Sequence, residues 1–209
     1  MRKDFIAAAI AIVTFTVLFG LVYPLVITGV SQVAFPGQSD GSQLERDGQL
    51  IGSKLIGQDF SKRVPREGNP RKFHRVPDPR YFQSRPSVTG YSGDVTYFNN
   101  LGPNDAELSQ MFKDNLNAYL ELERPYDPGL TAADVPVDAV TTSASGVDPH
   151  ISQANARIQA NRIAEVRGLP LDRVVELIDE NTAGRALGFL GEPGVNVLEL
   201  NIALDEEAS

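Results

Sequence analysis

No cysteine occurs in the 209 residues, and histidine occurs twice. Without cysteine there is no disulfide framework, no thiolate metal site, no cysteine nucleophile and no lipid-modified cysteine anchor, so stability has to come from packing. Any imidazole chemistry falls to His74 or His150. There is no G-x-x-x-x-G-K-[ST] loop to cradle phosphates, no H-E-x-x-H spacing for a transition metal and no G-x-S-x-G nucleophile elbow. Charge is missing from one long stretch as well: no Asp, Glu, Lys or Arg lies between Asp4 and Asp40.

That uncharged stretch organises the chain. From Phe5 to Tyr23 a helix rising about 1.5 Å per residue covers roughly 28 Å before Pro24, close to the ~30 Å hydrocarbon thickness of a bilayer. The run to Val30 is also much longer than the apolar region of a cleaved signal. Residues 1–30 therefore read as a single transmembrane anchor. Arg2 and Lys3 precede it, whereas residues 31–60 carry Arg46 and Lys54 against Asp40, Glu45, Asp47 and Asp59. The positive-inside rule then places the N-terminus in the cytoplasm and residues 31–209 outside. Ala7 with Ala11 and Thr16 with Gly20 put small residues at four-residue spacing, which lets a partner helix approach closely.

Beyond the anchor the charge is uneven. Residues 61–90 carry eight Lys/Arg against two acids, and residues 91–209 carry seven against twenty, within a net charge of −8. An acidic outer half repels nucleic acid and concentrates cations in its field, and the basic half suits anionic headgroups or an acidic partner. Leu50-Ile51 and Leu55-Ile56, set between glycines, read as a short strand or strand pair with tight turns. Residues 61–100 read as a long Pro/Arg-rich loop, because five prolines there exclude a helix or central strand. Asn104 to Leu122 reads as an amphipathic helix with an Asn104/Glu107 capping box. Val137 to Thr141 reads as a strand, Asp148-Pro149 as the start of a helix ended by Gly168, Pro170 to Asn181 as a further helix, and Leu198 to Leu204 as a half-buried strand. Strands and helices without βαβ alternation make the fold class α+β, an extracytoplasmic domain behind one N-terminal transmembrane helix.

The segment Thr142-Ser143-Ala144-Ser145-Gly146-Val147-Asp148-Pro149-His150 permits two readings. One is a nucleophile, Ser143 or Ser145, with His150 as base, which requires the base in hydrogen-bond reach, a third orienting group and an oxyanion site. The other is a turn and helix cap, in a module that binds at the membrane surface without catalysis.

The same segment, continued through Ile151, Ser152, Ala156, Gln159, Arg162, Ala164 and Arg167-Gly168, closely resembles the signature of the small C subunit of Kdp-type potassium-transporting P-type ATPases. Gly57-Gln58-x-Phe60, Tyr81-Phe82-x-x-Arg85-Pro86-Ser87 and Gly191-Glu192-Pro193-x-Val195-Asn196-Val197-Leu198-Glu199-Leu200-Asn201 match in order. Two places depart from the pattern: a longer basic segment between Phe60 and Tyr81, and Ser92 to Asn100 before Leu101-Gly102-Pro103. The resemblance implies a non-catalytic accessory subunit of a high-affinity ATP-driven potassium uptake complex. Its partners would be a potassium-channel-like subunit, an ATP-hydrolysing P-type pump subunit and the bilayer. It would have no cofactor or metal of its own, ATP and K⁺ being handled by the complex, and a catalytic-chaperone effect on ATP affinity. Ser143, Ser145, Gly146, Asp148, Pro149, His150, Gln159, Arg162, Asn196, Glu199 and Asn201 are the expected structural or partner-binding positions, and Ala7, Ala11, Thr16 and Gly20 the helix-packing ones.

Overall fold

A computed structural model describes residues 2–207 apart from 47, 68 and 96–99, so part of the divergent Ser92 to Asn100 segment lies outside the described residues. The chain divides into two compact units, residues 1–53 and 54–209.

The first unit is led by an uninterrupted helix of 33 residues, Arg2–Ala34, with no side chain buried within the chain. It comprises α1 (Arg2–Val17), a π turn (Leu18–Val22) and α2 (Tyr23–Ala34). Pro24 does not break it, and the helix runs on to Ala34, four residues beyond the expected anchor. The reason is local. A proline ring collides with the carbonyl four residues back in a regular helix. Here the Tyr23 N–H reaches the Leu18 carbonyl five residues back, and the widened turn makes room for Pro24. A one-turn helix, α3 (Pro36–Ser39), and an antiparallel hairpin of β1 (Gln43–Arg46) and β2 (Gln49–Ser53) complete the unit. Leu50-Ile51 lies in β2 as expected, whereas Leu55-Ile56 forms no strand.

The second unit opens with a second hairpin, β3 (Ser61–Arg66) and β4 (Asn69–Pro77), where a loop was expected. The prolines are tolerated because a two-stranded ribbon has only edge strands, whose outer N–H groups face no partner. Then follow α4 (Ala106–Glu123), α5 (Val137–Val140), β5 (His150–Ile151), α6 (Gln153–Arg167), α7 (Leu171–Glu180), β6 (Thr182–Ala183), β7 (Gly194–Asn196) and α8 (Val197–Glu207). β7 is central in a three-stranded antiparallel sheet, with His150 opposite Asn196 and Thr182 opposite Val195. The core joins this sheet to α6, α7 and α8 through Ile151, Ile163, Val174, Ile178, Val195, Leu200 and Leu204, with Phe82 from the irregular segment among them.

Five local readings are corrected. The cap of α4 is Asp105, whose carboxylate accepts from Glu107 N at 2.8 Å, one residue beyond Asn104. Residues 137–140 form a helical turn, since Pro136 presets the φ from which a turn starts and Thr141 N closes it on Val137 O. Asp148 does not cap α6: it accepts from His150 N (3.0 Å), turning the chain into β5, and the cap passes to Ser152, whose Oγ accepts from Asn155 N (3.1 Å). Leu198 to Leu204 is helix, not strand. Val197, Leu200, Asn201 and Leu204 are buried at i, i+3, i+4 and i+7, a helical face that the leucine alternation disguises. Val175, expected inside, is half-buried, while Val174, Leu177 and Ile178 are buried as expected. Gly168 does end α6, at φ 67°.

Candidate functional site

Asn155, Gln159 and Arg162 share one buried face of α6 at i, i+4 and i+7. Gln159 and Arg162 face residues 78–87, which have no regular structure and whose backbone groups therefore need partners from elsewhere. Gln159 supplies two: its Oε1 accepts from Gln83 N (2.7 Å) and its Nε2 donates to Gln83 O (3.1 Å). From α8, Asn201 treats the preceding residue in the same way, accepting from Phe82 N (2.9 Å) and donating to Phe82 O (3.0 Å). Each side-chain amide thus acts as a strand partner, and the Phe82 ring between them is fully buried.

Arg162 completes the lock. Its Nη1 donates to Pro79 O (2.6 Å) and Tyr81 O (2.9 Å), its Nη2 to Gln159 Oε1 (2.9 Å), and its Nε to both carboxylate oxygens of Glu123 on α4 (3.0 and 3.1 Å). The two side chains are 0% and 1% exposed. Burial pushes the Glu123 carboxyl up to about 7, against the pull of Arg162. Asn155 accepts from Tyr119 OH (2.9 Å) and donates to Asp138 (3.0 Å), which also accepts from Ser152 N and Oγ, both at 2.8 Å. The network therefore ties α4, α5, α6, α8 and the 78–87 segment together.

A second cluster surrounds the expected motif. Gly146 sits at φ 72°, with Ser87 Oγ (2.6 Å) and Thr89 Oγ1 (3.2 Å) donating to its carbonyl. Asp148 accepts from His150 N and pairs with Arg85 (3.1 Å), whose Nη2 also donates to Thr141 Oγ1 and Thr142 O, both at 3.3 Å. The Arg85 Nε is buried and finds no partner among the described residues. Hydrogen bonding to His150, reinforced by Arg85, holds the Asp148 carboxyl below its ordinary value despite partial burial. The buried Pro149 accepts from Val197 N (2.9 Å). Arg85, Asp148, His150, Asp138 and Ser152 line an open cleft of about 430 Å³ with Glu192 and Gly194.

The parts of a serine nucleophile are not assembled here. Ser143 is buried, its hydroxyl 3.3 Å from that of Ser145 and accepting from Gly146 N (3.0 Å), while Ser145 Oγ accepts from Val147 N (3.2 Å). His150 Nδ1 instead faces Asp148 Oδ1 at 3.6 Å. Asn196 caps α8, accepting from Leu198 N (3.1 Å) and Glu199 N (3.2 Å), and donates to Lys54 O (2.8 Å). Lys54 forms an ion pair with Glu199 at 2.6 Å. Of the expected positions, Gln159, Arg162 and Asn201 form the buried lock; Ser143, Ser145, Gly146, Asp148, Pro149 and His150 the turn; and Asn196 and Glu199 the α8 start. Ala7, Ala11, Thr16 and Gly20 are exposed on the apolar helix, Gly20 inside its π turn.

Glu123, Asp138, Asn155 and Arg85 were not singled out from the sequence as site residues. The signal for Glu123 was present: it follows Leu116, Tyr119 and Leu120 on the apolar stripe of α4, where a lone carboxylate requires a buried cation.

One helix of membrane-crossing length and an α+β domain whose buried polar groups hold its own irregular backbone define the class, an α+β domain carried on a single apolar helix. The family model for KdpC, the c chain of K⁺-transporting ATPases, matches residues 5–206. The chain is similar to the potassium-transporting ATPase KdpC subunits of Streptomyces coelicolor (44% identity; 97% of this chain, 92% of that protein) and Methylococcus capsulatus (43%; 98% of both). It is likewise similar to that of Mycobacterium tuberculosis (43%; 98% of this chain, 99% of that protein). The chain belongs to the KdpC family.

Proposed function

We propose that this chain is the accessory subunit of an ATP-driven potassium uptake complex, anchored by Arg2–Ala34 with its N-terminus in the cytoplasm and its domain outside. The observation that carries this reading is the match to the c chain of K⁺-transporting ATPases over residues 5–206. The flanking charges support the orientation. The partners are a potassium-channel-like subunit and an ATP-hydrolysing pump subunit, with the small-residue face of Ala7, Ala11, Thr16 and Gly20 packing on one of them. The subunit is non-catalytic and takes no cofactor or metal of its own; the complex handles ATP and K⁺.

Nucleotide is cytoplasmic and the domain is not, so any rise in ATP affinity acts through coupling: the domain binds one state of its partners better than another. The turn at residues 143–150 and its cleft form the partner-facing surface. The acidic half of the domain raises the local K⁺ concentration at the channel's outer entrance. Recovery of a tagged chain from mild detergent together with two larger membrane proteins and K⁺-stimulated ATPase activity is the expected result. Recovery of the chain alone, with all partners expressed, would leave a tethered binding module instead.

A further inference from the structure

Among the described residues, the β3–β4 hairpin pairs with no third strand and contributes no side chain to the buried core. Its base is fixed: Asp59 accepts from Ser61 N (2.9 Å) and pairs with Arg75 (2.9 Å), and Asp78 N bonds Phe60 O (3.1 Å). Beyond that base, every side chain described in the ribbon is exposed or half-exposed. Residues 61–77 carry Lys62, Arg63, Arg66, Arg71, Lys72 and Arg75 against the single acid Glu67, in a chain of net charge −8. The register sets Arg63 opposite Arg75 and, two residues on and so on the same face, Pro65 opposite Phe73. Arg75 is answered by Asp59, so the exposed cations Lys62, Arg63 and Lys72 are the ones that an external anion would meet. Phe73, 54% exposed, follows Lys72 and lies one pair along the same face from Arg63 and Arg75, the pairing of aromatic and basic side chains that suits a headgroup boundary.

We propose that this hairpin is an arm that binds anionic lipid headgroups, an inference that rests on reading Arg2–Ala34 as a retained membrane span. That helix would keep the domain tethered to a bilayer, which raises the concentration of headgroups around the ribbon without diffusional search. A plane of phosphates also answers cations on both strands without shape complementarity, whereas an acidic protein face would have to be built to fit.

The chain has no tryptophan, so Phe73→Trp installs a unique fluorophore that keeps the aromatic ring. The full-length variant is reconstituted in vesicles of phosphatidylcholine alone and of phosphatidylcholine with phosphatidylglycerol. The expected result at low salt is a blue-shifted emission and about twofold or greater protection from acrylamide in the anionic vesicles only. The shift should vanish near 1 M salt, where the screening length falls to about 3 Å. It should vanish too when Lys62→Gln, Arg63→Gln and Lys72→Gln are added. Identical emission in both vesicles would overturn the proposal, as would a shift that appears only when partner subunits are present, which would make the occupant an acidic protein face. Failure of the span itself shows separately, as loss of co-flotation with the neutral vesicles.

Discussion

Arg162 illustrates how a single buried charge can be held without being a catalytic device. Removing one member of a buried ion pair costs about 3–5 kcal/mol because the other charge is left uncompensated. Arg162→Met, leaving Glu123 behind, is expected to lower the unfolding free energy of the full chain in mild detergent by about that much, read from the urea midpoint. Adding Glu123→Leu should restore only part of the loss. The carbonyls of Pro79 and Tyr81 still lack their donor, and each unsatisfied buried group costs about 1–3 kcal/mol. Full recovery by the double variant would show that these carbonyl contacts carry no stability. Asp148 gives the pH prediction. Its carboxyl titrates lower in the folded chain than in the unfolded one, because His150 and Arg85 favour the ionised form. Its contribution is therefore present above the unfolded value near 3.8 and is lost as pH falls through the folded value. Asp148→Asn should be less stable than the parent near neutral pH, and the gap should close in strong acid. A gap that persists there would mean the side chain acts by shape and not by charge.

At the scale of elements, α4, α6, α7 and the apolar helix were legible as helices, although the starts of α4 and α6 and the end of the apolar helix fall elsewhere than expected. The reading failed where tertiary partners decide between alternatives. In α8, Leu198, Leu200, Ile202 and Leu204 satisfy a period of two, and the competing signal was Asn196 as cap and Asn201 as a buried polar group in the helical stripe. Asp148-Pro149 looks like a helix start until β7 claims His150-Ile151 for a ladder. The lock on residues 78–87 was half legible: Gln159, Arg162 and Asn201 were chosen, but their partners are backbone groups, which leave no trace in side-chain patterns. Close approach of two irregular segments is equally silent, yet it makes a prediction at Gly57. The Gly57 N–H bonds Val147 O (2.7 Å), and a Cβ there would lie 2.6 Å from the Asp148 carbonyl oxygen. Backbone cannot rotate away as a side chain can, so Gly57→Ala should destabilise by about 1–3 kcal/mol in a urea titration. Gly129→Ala, whose Cβ would meet only Asp127 Oδ1 at 3.5 Å, should be close to neutral. Equal costs at the two sites would refute the contact.

Across the whole molecule, some of the domain's acids are paired with arginines, and three on one helix are not. Arg173 pairs with Glu176, Glu180 and Glu207, Arg167 with Asp205, Arg157 with Asp179 and Arg185 with Glu192. Glu107, Asp114 and Glu121 are exposed on α4 and form no ion pair among the described residues. Their seven-residue spacing keeps them in one row along the helix, since seven residues make nearly two turns. If the domain concentrates K⁺ for the complex, this row contributes three like charges to its field. The triple variant Glu107→Lys, Asp114→Lys and Glu121→Lys, assembled in the intact complex, should raise the K⁺ concentration for half-maximal ATPase activity by about two- to fivefold at low ionic strength. The maximal rate should not change, because the row lies on the domain's surface and the effect is on local concentration alone. Raising the salt to about 0.15 M shortens the screening length to roughly 8 Å and should shrink the difference. An unchanged half-saturation in a fully assembled complex at low salt would remove the electrostatic role and leave the domain's contribution to its preference among the partners' states.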